Sequence, residues 1–543
     1  MPTHEVENQA PPLVGYNLFT SDRALCEAVR REGAGWIEDR AVELGRILGG
    51  EEAIAWGFDA NNNPPVLHTH DARGERIDEV RFHPAWHELM RLSVEFGLHN
   101  LPWAQPREGA HAARAAMFLV AGQNESGHGC PISMTYAAVP PLRREPELAR
   151  LWEPRIATMT YDPRFLPAEQ KRGVLVGMAM TEKQGGSDVR ANTTRAKAAG
   201  RGGPGAEYRI TGHKWFCSAP MCDAFLVLAQ APGGLSCFLL PRWTPEGRRN
   251  NFFLQRLKNK LGNRSNASSE VEFDNAYATL VDEEGRGVRT IVEMVNHTRL
   301  DCTLGSASLM RQAVVQATHH ARHRAAFGRV LKDQPLMQNV LADLCLESEA
   351  ATVLAMRLAR AYDSTDESEA SLRRIGTAVA KYWVCKRTPP HVNEALECLG
   401  GNGFVEESIM PRLYRESALN SIWEGSGNVI CLDVLRAIVG EPSTIDALLA
   451  EIDGARGADR RLDEAAGQLR DEWRDLAADE RLARRLVERL ALAWQASLVV
   501  RFSPPEVADA FCASRLAGDG RAFGTLPCCA KYEAIIDRAA VGQ

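Results

Sequence analysis

The chain has 543 residues, 45% of them hydrophobic and 25% charged, with a net charge of -6. A single core rarely grows past roughly 250–300 residues, so several domains are expected, and the mild negative charge gives no global attraction to nucleic acid or to a membrane surface. Thirteen cysteines, an odd number without regular spacing, argue against a disulfide framework. The N-terminus lacks a signal-peptide pattern, and no apolar run approaches the roughly 20 residues that span a bilayer. A cytoplasmic protein without a membrane partner is expected, and no metal-ligand spacing is read.

Residues 1–180 read as a helical domain, with Ser21 or Asp22 capping a first helix that Gly33 ends. The character changes over 181–286, where short β-rich runs such as A-F-L-V-L-A-Q and L-S-C-F-L-L-P alternate with turn residues. The tract G-R-G-G-P-G at 200–205 reads as a hairpin loop and not as a phosphate cradle. Helical periodicity returns over 287–440, interrupted by a charged loop near Asp363, and continues as a helical tail over 441–543. That tail reads as a separable domain, so a chain ending near Gly440 is expected to keep whatever site the rest carries.

Four motifs carry chemistry. In A-M-T-E-K-Q-G-G-S-D at 179–188, Gly185 and Gly186 let the main chain approach a ligand closely enough for amides to meet phosphate, although such a string alone is usually a turn. H-K-W-F-C-S at 213–218 ends a strand with an aromatic pair, which by itself suits a core. R-A-A-F-G at 324–328 closes a helix with an arginine whose planar fork suits a pyrophosphate. In the stretch from Glu397 to Asn428 a Gly400-Gly401 turn precedes one carboxylate, Glu424, in the apolar-aromatic context I-W-E-G-S-G-N.

Together, at this spacing, the motifs resemble the signatures of the acyl-CoA dehydrogenase superfamily. The resemblance implies an α+β fold of helical domain, central β-barrel domain and second helical domain, here with an added C-terminal helical domain. It implies FAD as cofactor, held by Met180, Thr181, Gly186 and Ser187, by Phe216, Cys217 and Ser218, and by Ile422, Trp423, Gly425, Ser426 and Asn428. Arg324, Phe327, Gln334, Gly400 and Gly401 would serve the pyrophosphate and adenosine end, partly across a subunit boundary, which implies a homotetramer. Glu424 would be the catalytic base that removes an α-proton from an acyl thioester. The alternative place for that base in the family is Thr298-Arg299 here, without a carboxylate. Trp423 stands where a tyrosine is usual, and the larger indole would narrow the acyl cavity.

Segments at 27–36, 80–87, 177–189, 260–268 and 420–436 are similar to one branch of the superfamily, flavoproteins of the bacterial adaptive response to DNA alkylation. That similarity spans nearly the whole chain. It implies binding to double-stranded DNA without sequence preference, protection against alkylation, and weak isovaleryl-CoA-like dehydrogenase activity. A small acyl-CoA or the alkylating agent itself would be the small-molecule partner. Arg436 matches a DNA-binding position of the branch. Arg470, Arg474, Arg481 and Arg485 recur at helical spacing in a tail that holds fourteen cations against eighteen carboxylates. A phosphate-binding stripe and a solvated, salt-bridged helix face fit this pattern equally. A working acyl-CoA dehydrogenase that uses Glu424, and a DNA-binding protein with a purely structural flavin, remain the alternatives.

Overall fold

The computed structural model describes every residue except Met1, Pro2, Asp519, Arg521, Cys529 and Gln543. The chain forms two compact units, each assembled from separated stretches: Ala55–Arg107 with Glu125–Thr298, and Met1–Ile54 with Glu108–Asn124 and Arg299–Gln543.

The first unit is built on a barrel. Its strands are β1 (Val66–His70), β2 (Arg76–Arg81), β3 (Val176–Ala179), β4 (Arg195–Ala198), β5 (Glu207–Ser218), β6 (Ala224–Ala231), β7 (Gly234–Pro241), β8 (Phe252–Leu257) and β9 (Ser268–Val281). The main sheet runs β3-β6-β4-β5-β9-β7, β8 pairs with β9, and pairing of β6 with β7 closes the ring. The apolar runs of β6 and β7 are buried along most of their length, as strands facing a filled barrel should be. β5 and β9 are the long antiparallel staves, and their register breaks at Ile210/Gly212 and Lys214/Cys217. Gly212 is required at the first break: its φ is +151°, and a Cβ there would lie 2.6 Å from Thr194 Cα. The 200–205 tract joins β4 to β5, an antiparallel pair, as its glycines suggest.

β1 and β2 form a hairpin inside a stretch whose sequence reads as helical. Asp71 decides it locally, because its carboxylate accepts the N–H groups of Arg73 and Glu75 while Gly74 takes φ +86°.

The second unit is helical. Asp22 caps the helix Arg23–Arg31 by accepting from Leu25 N, and Gly33 follows its end at φ +76°. The long helices Pro335–Ala361 and Glu367–Cys398 form its centre, joined by the charged loop at Asp363. The helices after Gly440 belong to the same core. Trp494, on Ala483–Phe502, is fully buried against Gly376, where an added Cβ would come within 2.8 Å of the indole. Trp383 donates to Gln495 at 2.9 Å, Arg357 pairs with both Glu369 and Glu451, Arg515 with Asp343 and Glu347, and Arg538 with Glu27 and Glu349. The tail is therefore not a separable lobe, because cutting at Gly440 would open a core and strand buried charges. Among the described residues no helix is long and apolar enough to cross a membrane.

Candidate functional site

Within the helical unit, Glu424 sits on a tightly held turn. A single 3₁₀ turn at Leu419–Ser421 leads into Ile422 and Trp423, and the helix Gly427–Gly440 starts just beyond. Glu424 has φ +57° and Gly425 φ +111°. A left-handed backbone at a non-glycine residue costs about 1–3 kcal/mol and persists only where its surroundings dictate it.

Here two cations do so. Arg299 Nε donates to the Glu424 carbonyl at 2.9 Å while its Nη1 pairs with Asp433 at 2.8 Å. Lys381 Nζ, almost wholly buried, donates to the Trp423 carbonyl at 2.9 Å and to the Gly425 carbonyl. Three successive carbonyls are thus pinned by charge-assisted bonds, which are about twice as strong as neutral ones. The indole is fixed as well, since Trp423 Nε1 donates to Asn420 Oδ1 at 2.8 Å and Asn420 to Ser306 at 3.1 Å. Neither Lys381 nor this role of Arg299 was visible in the motifs. The available signal was a lone lysine in the apolar helix run T-A-V-A-K-Y-W-V-C.

The R-A-A-F-G motif does not close a helix. The helix Gly287–His323 ends before it, and Ala325–Ala326 (β10) pairs with Arg329–Val330 (β11) across a two-residue turn. Phe327 and Gly328 both have positive φ, +53° and +76°, as this hairpin type demands. A segment missed in the sequence holds it. The Asn8 side chain exchanges two hydrogen bonds with the Ala325 backbone, at 2.8 and 2.7 Å, and Arg324 donates to the Asn8 carbonyl at 2.5 Å. Gln334 donates to the Ala326 carbonyl at 2.9 Å, and Asn402, beside the Gly400-Gly401 turn, reaches Gln9 at 3.2 Å. Gly400 lies at φ +60°, and a Cβ on either Gly400 or Gly401 would meet nothing within 4 Å. Phe327 is 99% exposed, Leu336 84% and Phe404 79%. Ser426 and Asn428 are exposed, and Asn428 accepts from Arg484 of the tail at 2.8 Å.

Within the barrel unit, Met180 leaves β3 and leads into an exposed glycine loop. Gly185 has φ +143° and open space where a Cβ would be, whereas a Cβ at Gly186 would lie 2.5 Å from Thr181 Oγ1. The loop thus presents Thr181 and Ser187 around a bare backbone, a cradle suited to a phosphate-bearing ligand. Trp215 N donates to the Thr181 carbonyl at 2.8 Å, which ties the loop to β5. Phe216 follows, 50% exposed, with its ring edge-on to Trp215 and Lys258 Nζ 4.8 Å from its centroid. Ser218 and Ser268 hydroxyls are 3.3 Å apart. Cys217 is buried, so its side chain is shielded from a ligand on the surface, and its carbonyl accepts from Ser269; burial also pushes its thiol up to about 12.

The arginines expected to meet phosphates, Arg436 before the tail and the others in it, separate into two groups. Arg470 is paired with Asp453 and Arg481 with Asp479. Arg436, Arg474 and Arg485 are exposed and have no ion-pair partner among the described residues.

Residues 8–163 match the adaptive response protein AidB N-terminal domain, 177–276 the acyl-CoA dehydrogenase middle domain, and 285–439 the acyl-CoA dehydrogenase C-terminal domain. The chain is 49% identical over 513 residues to the putative acyl-CoA dehydrogenase AidB of Escherichia coli strain K12, covering 94% of each chain. It is 30% identical over 426 residues to acyl-CoA dehydrogenase family member 11 of Caenorhabditis elegans, covering 75% of this chain and 68% of that one. Among solved structures, C. elegans ACDH-11 in complex with C11-CoA superposes with a TM-score of 0.86 at 25% identity over 96% of this chain and 95% of that one. A Bacillus anthracis acyl-CoA dehydrogenase complexed with FAD shares the fold, with a TM-score of 0.62 at 18% identity over 80% and 81%.

Proposed function

The chain belongs to the acyl-CoA dehydrogenase family, in its AidB branch, whose wider family binds FAD, and we propose that it is an FAD protein that binds duplex DNA without sequence preference and protects it from alkylation. Its acyl-CoA dehydrogenase chemistry is weak in this reading. The observation that carries it is the 49% identity to AidB over 94% of both chains, which extends past Val439, where the dehydrogenase C-terminal domain ends. Arg436, Arg474 and Arg485, exposed and without an ion-pair partner among the described residues, supply cations for phosphate contacts.

The residues present fit FAD. Met180, Thr181, Gly186 and Ser187 would hold it with Phe216, Ser218 and the Cys217 backbone, and Arg324, Phe327, Gln334, Gly400 and Gly401 would serve its adenosine end. Ile422, Trp423, Gly425, Ser426 and Asn428 complete the set. When bound, FAD supplies a two-electron hydride acceptor. The open glycines at 185, 400 and 401 leave the space that a close backbone approach needs. Glu424 takes the proton from the carbon α to a thioester carbonyl, its direction set by the carbonyl tethers from Arg299 and Lys381. The exposed Phe327, Leu336 and Phe404 favour a homotetramer that covers them. The proposed setting is the cytoplasm.

A second reading, a genuine acyl-CoA dehydrogenase, is favoured by one observation. ACDH-11, which covers 96% of this chain, was solved with C11-CoA. Two experiments divide the readings. Duplex binding that weakens in Arg436→Ala while the flavin spectrum is unchanged supports the first. Rapid anaerobic bleaching of the flavin by a member of an acyl-CoA panel, with no duplex binding, supports the second.

A further inference from the structure

The loop that carries Met180, Thr181, Gly186 and Ser187 stands on a buried ion pair to which no motif gives a role. Lys214 on β5 and Glu182 in the loop are both fully shielded from solvent, and their side chains meet at 2.8 Å. Lys214 Nζ also donates to the Leu228 carbonyl on β6 at 2.8 Å and to the Met180 carbonyl at 3.3 Å. The Glu182 carboxylate accepts from Thr193 N at 2.7 Å, Thr193 Oγ1 at 3.0 Å, Thr194 N at 3.1 Å and Gln184 Nε2 at 2.8 Å. Burial opposes ionisation of Glu182, but the Lys214 charge and these donors outweigh it and hold the carboxyl well below the usual range.

The pair holds the first of the loop's carbonyls, and neighbouring backbone donors take the next two. Met180 C=O accepts from Lys214 and from Asn192 Nδ2 at 2.9 Å, Thr181 C=O from Trp215 N, and Glu182 C=O from Gly185 N at 3.0 Å. Three successive acceptors are therefore taken up inside the protein. With these carbonyls occupied, the loop can still offer a ligand the hydroxyls of Thr181 and Ser187 as donors, which suit the acceptor-rich pyrophosphate and ring edge of a flavin. A plain stabilising role is a poor explanation, because replacing a buried ion pair by uncharged residues of like volume is often neutral.

We propose that Lys214 and Glu182 are positioning residues for FAD, fixing the backbone of residues 180–182 with its carbonyls turned inward so that flavin affinity and ring environment depend on the pair beyond its effect on stability. The inference rests on the reading that this loop holds FAD. The test uses full-length protein stripped of flavin and retitrated with FAD, followed by flavin fluorescence, by visible circular dichroism at saturating FAD and by the apo thermal midpoint. Lys214→Met is expected to raise the FAD dissociation constant at least about tenfold, but it also leaves a buried carboxylate without its cation and risks misfolding. The double variant Lys214→Met/Glu182→Gln removes that charge. It is expected to unfold near the wild-type temperature yet keep the weakened affinity and an altered flavin dichroism, whereas Lys214→Arg, which retains the charge, moves both back toward wild type. A double variant with wild-type affinity and dichroism overturns the proposal. Ser187→Ala separates the two levels: unchanged FAD affinity there sinks the loop's flavin role itself, while weakened affinity there beside a normal double variant sinks only the role of the pair.

Discussion

Trp494→Ala tests whether the C-terminal helices are part of the core that carries the Glu424 turn. Trp494 is fully buried and its Nε1 has no hydrogen-bond partner among the described residues, so truncation removes packing alone. Deleting a buried tryptophan to alanine costs about 3–5 kcal/mol, a large share of the 5–15 kcal/mol that typically separates folded from unfolded protein. The cavity opens against Gly376 on the helix Glu367–Cys398, five residues before Lys381, which pins the Trp423 and Gly425 carbonyls. Loss of stability should therefore be accompanied by loosening of the Glu424 turn. Differential scanning fluorimetry is expected to give a midpoint lower by roughly 5–10 °C, with FAD lost during purification more readily than from wild type. A chain ending at Gly440, which also strands Asp343 and Glu349 and leaves Glu347 with Arg387 alone, is expected not to accumulate as soluble holoprotein. A soluble, yellow truncated protein, or a Trp494→Ala midpoint within about 1 °C of wild type, would refute this reasoning.

Glu424→Gln should keep FAD but slow any acyl-CoA-dependent bleaching by at least about 10²-fold, the usual worth of a positioned base, which anaerobic stopped-flow absorbance measures. Ser187→Ala combined with Arg324→Ala should weaken FAD binding by removing two phosphate donors, read as the flavin content of purified protein. Glu347 supplies the pH dependence: burial would raise its pKa, but Arg387 and Arg515 hold it down to about 2. Its folded-state value lies below the ordinary 4.5, so its stabilisation is complete above about pH 4.5 and is lost as pH falls toward 2, amounting to ~3 kcal/mol. Glu347→Gln should flatten the thermal midpoint over that acid window, and an unchanged acid profile would contradict the assignment.

The barrel was legible because β6 and β7 are apolar runs bounded by turn residues, and the open backbone at Gly185, Gly400 and Gly401 because glycine there leaves space beside the chain. The β1–β2 hairpin was not, since V-L-H-T-H and R-I-D-E-V-R carry little apolar alternation and depend on the Asp71 turn. The hold on Glu424 was equally hidden. Lys381 and Arg299 act on backbone carbonyls, and a carbonyl leaves no trace in residue identity. The Asn8 contact joins residues more than 300 positions apart, a separation that no local pattern reports. The arginine spacing of the tail gave a face but not its occupancy. Arg470 and Arg481 turned out to be paired with Asp453 and Asp479, which leaves fewer free cations than the spacing alone suggests.

The most direct test of the account is duplex binding by the FAD-loaded protein, followed as fluorescence anisotropy of two labelled duplexes of unrelated sequence across a series of salt concentrations. The account predicts equal affinities for both, a linear fall of log affinity with log salt at a slope of about −0.9 per phosphate contacted, and a slope shallower by about 1 in Arg436→Ala. No binding even at low salt, or binding insensitive to salt and to Arg436, would contradict it.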